Sequence, residues 1–304
     1  MQIDTELYSR QKLKMKLKGR FLLECVLATA AAFILLNVYV NHGAKIRKPS
    51  SIFDASGAEI DVLQDLLYGT VEALDPRLLE FVRRRLLYAP SKRPRNLTTP
   101  NAIHYSHSGQ SKVIDKCLRQ KPDGFFVEAG AWDGEKDSNS LFFEISRNWT
   151  GILIEPDPRN FEQLVTKNRA ATIVQSCITD KPMWVDFTLS SSLDSGAIHP
   201  INKRIAIKGK SRILCLPIQT LLGAMGRTHV DFFSLDVEGV ELNVLQAFPW
   251  DKITVDMWTV EVHELTKNYI QALRDIRGVF NRTGMYKELQ PLGQDLLFVR
   301  KDIH

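Results

Sequence analysis

The chain has 304 residues, 44 % of them apolar and 25 % charged, a balance that excludes an intrinsically disordered protein. Much of its net charge of +5 sits in the first twenty residues, so the charge does not indicate a nucleic-acid partner and none is expected. With the N-terminus set aside, roughly 200 residues remain, enough to build one domain.

Arg10, Lys12, Lys14, Lys16, Lys18 and Arg20 precede an apolar run from Phe21 to Val40. At about 1.5 Å per residue, this run crosses a hydrocarbon core of about 30 Å. A cleaved signal peptide has a shorter apolar core and a small-residue site, and Val38-Tyr39-Val40 is a poor one. Residues 21–40 are therefore expected to anchor the chain in the bilayer, after a cytosolic tail at 1–20. Fewer basic residues (Lys45, Arg47, Lys48) follow the anchor than precede it, which predicts a luminal or extracellular C-terminal domain. The expectation is a single-pass type II protein of endoplasmic reticulum, Golgi or endosomal membranes. A luminal placement makes the sequons at Asn96, Asn148 and Asn281 relevant. Asn96 is expected to be the most exposed, and Asn148, close to a strand, to be buried. Cys25 lies in the anchor, while Cys117, Cys177 and Cys215 lack the spacing of a metal knuckle or a disulfide scaffold. At most one bridge can form among them, and Cys177 and Cys215 are expected as buried free thiols.

Residues 41–104 read as a stem and helical approach segment. Ile60 to Leu67 is periodic and apolar. Asp75-Pro76 is a helix start with Asp as cap and Pro in the first turn; Leu78, Leu79, Val82 and Leu86 then share a face, and Arg83, Arg84 and Arg85 are solvated. Ser106-His107-Ser108 carries no G-x-S-x-G elbow. It is expected to cap a short helix, in a position to lie over a ligand.

Residues 105–304 are expected to form the main domain. Phe125–Glu128, Ile152–Ile154, Ala171–Ile178, Asp231–Asp236 and Thr254–Val262 read as strands, and a terminal strand is expected over 294–299. Helical patterns lie between them, one of them after Asp157-Pro158. Continuous apolar strands alternating with helices predict an α/β fold with a parallel sheet covered on both faces. Met183 to Lys210 departs from this pattern: a short extended piece near Phe187, then polar Ser190–Gly196 and several basic residues. It is expected to be a surface loop rather than a lid.

Ligands of such sheets bind beyond the carboxyl ends of the strands, where Glu128, Glu155, Asp236, Glu238 and His263 stand. Gly130 and Gly134 let the turn after the first strand approach a nucleotide-type ligand. Ala131 and Trp132 occupy the region where a dinucleotide fingerprint needs its middle glycine. In Asp236-Val237-Glu238-Gly239 two carboxylates meet a turn; such a pair can bind a divalent cation, orient a hydroxyl, act as a base or cap a helix. Glu261-Val262-His263-Glu264 lacks the second histidine of a zinc hydrolase, and no metal is expected.

Phe126 to Gly134, Ile154-Glu155-Pro156-Asp157-Pro158 and Ser234 to Glu241, in that order, resemble the FkbM-type methyltransferase domain. The resemblance implies a class I S-adenosylmethionine-dependent methyltransferase-like (Rossmann-like) fold. With Leu141-Phe142-Phe143-Glu144 and Phe248-Pro249-Trp250, the chain is also similar to the animal Star-like subgroup. That subgroup implies a type II membrane glycoprotein serving endoplasmic-reticulum-to-Golgi transport of a transmembrane cargo such as a growth-factor precursor. The methyltransferase resemblance implies that Glu128, Gly130, Asp133 and Gly134 shape the pocket's methionine side. It implies further that Glu155 meets the ribose hydroxyls, that Ser176, Cys177 and Asp180 lie near adenine, and that Asp236, Glu238 and His263 serve the acceptor. The alternative to transport is methyl transfer to an oxygen of a small or glycan-like acceptor.

Overall fold

The computed structural model describes residues 57–188, 197–200, 210–263 and 268–303. The chain divides into two compact units, Met1–Ile60 and Asp61–His304, and the second is described here. The apolar segment 21–40, the tail before it, the stem 41–56 and the stretches 189–196 and 201–209 lie outside the described residues. Among the described residues no helix is long and apolar enough to cross a membrane.

Seven strands form the main sheet: β1 (Phe125–Ala129), β2 (Thr150–Ile154), β3 (Thr172–Val174), β7 (His229–Leu235), β8 (Thr254–Glu261), β9 (Tyr286–Glu288) and β10 (Asp295–Arg300), in the order β3-β2-β1-β7-β8-β10-β9. The first five in that order run parallel; β10 is antiparallel to β8 and to β9. Every residue of β1 is buried. Phe125, Val127 and Ala129 enter one core, and Phe126 the other. Burial on both faces explains why the strand has no polar alternation. Strand order reverses beside β1, which opens a crevice at its carboxyl end.

Helices cover the faces: α1 (Gly57–Tyr68), α2 (Pro76–Phe81), α3 (Gln110–Cys117), α4 (Leu141–Ser146), α5 (Pro158–Thr166), α6 (Ile218–Ala224), α7 (Glu241–Ala247) and α8 (Tyr269–Thr283). Asp75 caps α2, accepting from the Arg77 amide at 2.8 Å, and Asp157 caps α5, accepting from the Arg159 amide at 2.8 Å. Both caps precede a proline, as the sequence predicts. A single π turn, Val82–Leu86, continues α2. Val62, Leu66, Leu78 and Val82 enter the same core as β1, so the approach segment packs against the sheet.

Three expectations are corrected. Met183 to Lys210 is not a plain surface loop: β4 (Met183–Thr188) pairs antiparallel with β5 (Ala197–Pro200) and β6 (Lys210–Cys215). Cys177 and Cys215 are not free thiols but form a disulfide, with Cα atoms 4.5 Å apart. The segment after β3 and the end of β6 are drawn together by the Ile178–Leu216 bridge, 38 residues apart in the cysteine pairing, which spacing alone does not reveal. Asn148 is exposed, in a left-handed turn before β2 with its side chain donating to Asp123. Asn96 and Asn281 are exposed as well.

At the amino-terminal edge of β7 and β8, His229 faces Asp231 at 3.5 Å and Asp256 at 3.3 Å. Lys121 pairs with Asp231, and Arg300 with Asp256. Hydrogen bonds to Asp231 and Asp256 hold His229 protonated up to about 9. Its folded value lies above the unfolded one of about 6.5. The resulting stabilisation is complete below about pH 6.5 and is lost as pH rises through about 9. Denaturant midpoints should therefore fall between those values, and His229→Gln should flatten that slope.

Gly130 has φ +86°, and a Cβ there would lie 1.8 Å from the Asp236 carbonyl oxygen. Gly239 has φ +99° and open space around it. Gly130→Ala is expected to cost at least ~2 kcal/mol from combined strain and overlap, and Gly239→Ala about 1 kcal/mol from backbone strain alone. Urea unfolding of the two variants checks the order; equal losses would contradict it.

Candidate functional site

The turn after β1 is organised by Glu128. Its carboxylate accepts from Ser138 Oγ at 2.9 Å, the Asn139 amide at 2.6 Å and Ser140 Oγ at 2.6 Å. Asp133 accepts from the amides of Glu135 and Lys136, both at 2.8 Å. Gly134 lies against Leu164, and its carbonyl accepts from Arg169. Arg169 also pairs with buried Glu144 at 2.8 Å. Glu135 ties the turn to residues 98 and 99, accepting from the amides of Thr98 at 2.7 Å and Thr99 at 2.6 Å and from Lys167 Nζ at 2.6 Å. Burial raises the Glu135 pKa, but Lys167 and the amides outweigh it and bring it to about 2.

Glu155 is enclosed. Oε2 accepts from the Trp132 amide at 2.8 Å, and Oε1 from the Asp157 amide at 2.8 Å. Burial lifts its pKa to about 8, against the pull of those amides. Trp132 has φ +48°, a conformation rare for a bulky residue, and Lys136 Nζ lies 3.9 Å from the centre of its ring. Ser176 is buried and donates to the Leu214 carbonyl at 2.8 Å. Cys177 is in the disulfide, and Asp180 is exposed.

A cleft of about 620 Å³ opens at the carboxyl ends of β1, β7 and β8. It is lined by all three residues expected to serve the acceptor, Asp236, Glu238 and His263, but by none of the eight expected to hold the cofactor. Glu128, Gly130, Asp133, Gly134 and Glu155 build the turn beneath or beside it. Trp132, Lys136, Asp137, Asn139, Gln110, Glu261 and Asp295 also line the cleft, and the sequence reading had not assigned them to it. His107 and Ser108 line it too.

Registers explain the acidic floor. Leu235 lies beside Val260, which brings the next residues, Asp236 and Glu261, together. Glu261 in turn lies opposite Asp295. The Asp236 pKa is raised well above the carboxylate range, by burial first, then by its hydrogen bond to Glu261 and the charges of Glu261, Glu238 and Glu241. Burial likewise pushes Asp295 up to about 6, against a hydrogen bond from Gln110. The turn after β7 is closed by Glu241, which accepts from the amides of Val237 and Gly239, both at 3.0 Å. Helix capping therefore falls to Glu241 and leaves Asp236 and Glu238 on the cleft.

S-adenosylmethionine, which the fold implies, fits this site at its charged end. The acidic floor suits a sulfonium, and the volume is ordinary for a small-molecule pocket. At the ribose end Glu155 is covered, and meeting a ribose there requires the Trp132 turn to move.

No curated protein matches the chain. Solved structures similar to it include the methyltransferase FkbM from Methylobacillus flagellatus KT, at 14 % identity over 81 % of this chain and 55 % of that one, with a TM-score of 0.39. The chain thus spans little more than half the length of that protein. Others are the precorrin-6y C5,15-methyltransferase from Geobacter metallireducens GS-15 (13 % identity, 62 % and 85 % coverage, TM-score 0.34) and the human methyltransferase 10 domain containing protein (11 % identity, 74 % and 96 % coverage, TM-score 0.34). The family model of the methyltransferase FkbM domain matches residues 128–286, more than half of the chain, and the protein belongs to that family.

Proposed function

We propose that the domain binds S-adenosylmethionine with its charged end in the acidic cleft and methylates an oxygen of a small or glycan-like acceptor. The observation that carries this reading is the acidic floor of Asp236, Glu238 and Glu261 at the strand-order switch beside β1. The cofactor supplies an electrophilic methyl group on a sulfonium. The floor's negative field favours that charge. Asp236 in its ionised form, or His263, takes the acceptor's proton. The turn held by Glu128 fixes Asn139 at the wall of the cleft, so alignment is built into the fold. Calorimetric titration of the full-length protein with S-adenosylmethionine tests this. Binding is expected, weakened about tenfold in Asp236→Asn, a loss of about 1.4 kcal/mol. A folded sample giving no heat at millimolar ligand would sink the reading.

A second reading keeps the fold as a scaffold, on a type II anchor at residues 21–40, for transport of a transmembrane cargo in the secretory pathway. The covered Glu155 favours it. The Cys177–Cys215 disulfide supports the luminal placement that both readings share, because such bonds persist in oxidising compartments. The three exposed sequon asparagines accord with it. In microsomes, a C-terminal tag should resist protease until detergent is added, and peptide mapping should recover the Cys177–Cys215 pair. Digestion of the tag without detergent would remove the luminal placement.

A further inference from the structure

Two acceptor oxygens in the cleft have no donor. Asp236 Oδ1 and Asn139 Oδ1 are both fully enclosed and without a hydrogen-bond partner among the described residues, and both residues line the cleft. An enclosed acceptor without a donor is costly, and more so if it is charged. Asn139 is held in place by its Nδ2, which donates to Ser234 Oγ at 3.0 Å, and by its backbone amide, which donates to Glu128 at 2.6 Å. The cations of the cleft are engaged elsewhere: Lys136 lies over the Trp132 ring, and His107 faces Asp137 at 3.5 Å. The charges acting on Asp236 are all carboxylates. The sheet thus sets Asp236 and Glu261 side by side, with the Asn139 amide on the wall of the same cleft.

The amino-terminal end of the same strands provides a contrast. His229, Asp231 and Asp256 converge there with ligand atoms within 4.8 Å of one another. Lys121 and Arg300 already neutralise those carboxylates, so that cluster is complete as an ion-pair network.

We propose that the floor of the cleft binds a hard divalent cation, held by Asp236 and Glu261 with the amide oxygen of Asn139. The ligand set is all oxygen, which selects a magnesium-, manganese- or calcium-type ion over zinc or copper. Ions of the magnesium type are commonly held by one or two carboxylates, with waters or substrate oxygens completing the shell. The cation's use rests on the methyl-transfer reading: an acceptor oxygen would complete the shell and be fixed there. The site itself does not depend on that reading.

Mn²⁺ is the probe. It is titrated into full-length protein without S-adenosylmethionine, and free Mn²⁺ is read by electron paramagnetic resonance. One Mn²⁺ per chain is expected, displaced by excess Mg²⁺. Asp236→Asn and Glu261→Gln should each weaken uptake by about tenfold or more, while exposed Asp251→Asn leaves it unchanged. No uptake by folded wild-type protein overturns the proposal, and so does uptake that both floor variants leave intact. Should the variants not fold, Tb³⁺ luminescence excited through tryptophan in the wild-type protein serves instead. Sensitised emission that Mg²⁺ abolishes supports the site, and its absence counts against it. The separate titration with S-adenosylmethionine decides the methyl-transfer reading, so either idea can fail without the other.

Discussion

The buried carboxylate of Glu128 is the constraint on which the rest of the site depends. It ends the central strand, where both sheet faces are covered, and it cannot stay there without donors. One short turn supplies them: Ser138 Oγ, the Asn139 amide and Ser140 Oγ. Three bonds to a single carboxylate pin the turn to the strand end and start α4 directly after it. The same turn is fastened from outside by Arg169, which reaches the Gly134 carbonyl, Ser140 and Glu144. Glu144 completes that fastening by accepting from Arg95 at 2.6 Å and from the Ala170 amide at 2.8 Å. A ring of acids and arginines therefore fixes the wall of the cleft before any ligand arrives.

This arrangement explains what was legible in the sequence. The strands could be read because they are buried on both faces, which leaves long apolar runs ending in acid. The α2 and α5 starts could be read because Asp75-Pro76 and Asp157-Pro158 act through local chemistry. What could not be read is the direction in which each strand-end acid points. Glu128 and Glu155 look like ligand-binding groups in one dimension, yet both are consumed by backbone and hydroxyl donors of the turn. Asp236 occurs in the same kind of pattern but stays on the cleft, because Glu241 takes the amides of Val237 and Gly239. Asp295 and Glu261 join the site through the register of an antiparallel strand. No local pattern discloses that pairing. The Cys177–Cys215 bond was hidden for the same reason, since it follows from how β6 meets the segment after β3.

The two ends of the sheet show how one set of strands treats acid differently. At the amino-terminal edge, Asp231 accepts from the Phe125 amide at 2.7 Å and is joined by Lys121 and His229. Asp256 is matched by Arg300 and His229. Those charges are paired, and the edge is structural. At the carboxyl end, Asp236, Glu261 and Asp295 are laid in a row across β7, β8 and β10; burial and the neighbouring carboxylates raise the proton affinity of Asp236, and burial raises that of Asp295. Like charges forced together by strand register destabilise the domain unless something positive is present.

That imbalance is the strongest argument that the carboxyl end serves a ligand. A fold that needed these acids only for stability would have supplied bases, as it does at the other edge. Here the nearby lysine is turned onto Trp132 instead, and two oxygens are left without donors. The hydrogen bond between Asp236 and Glu261 leaves Asp236 Oδ1 and Asn139 Oδ1 without a partner among the described residues. A group carrying positive charge, and able to meet several oxygens at once, suits the floor. A metal ion and a sulfonium-bearing cofactor both supply that charge, and the ion also gives the enclosed oxygens of Asp236 and Asn139 a partner.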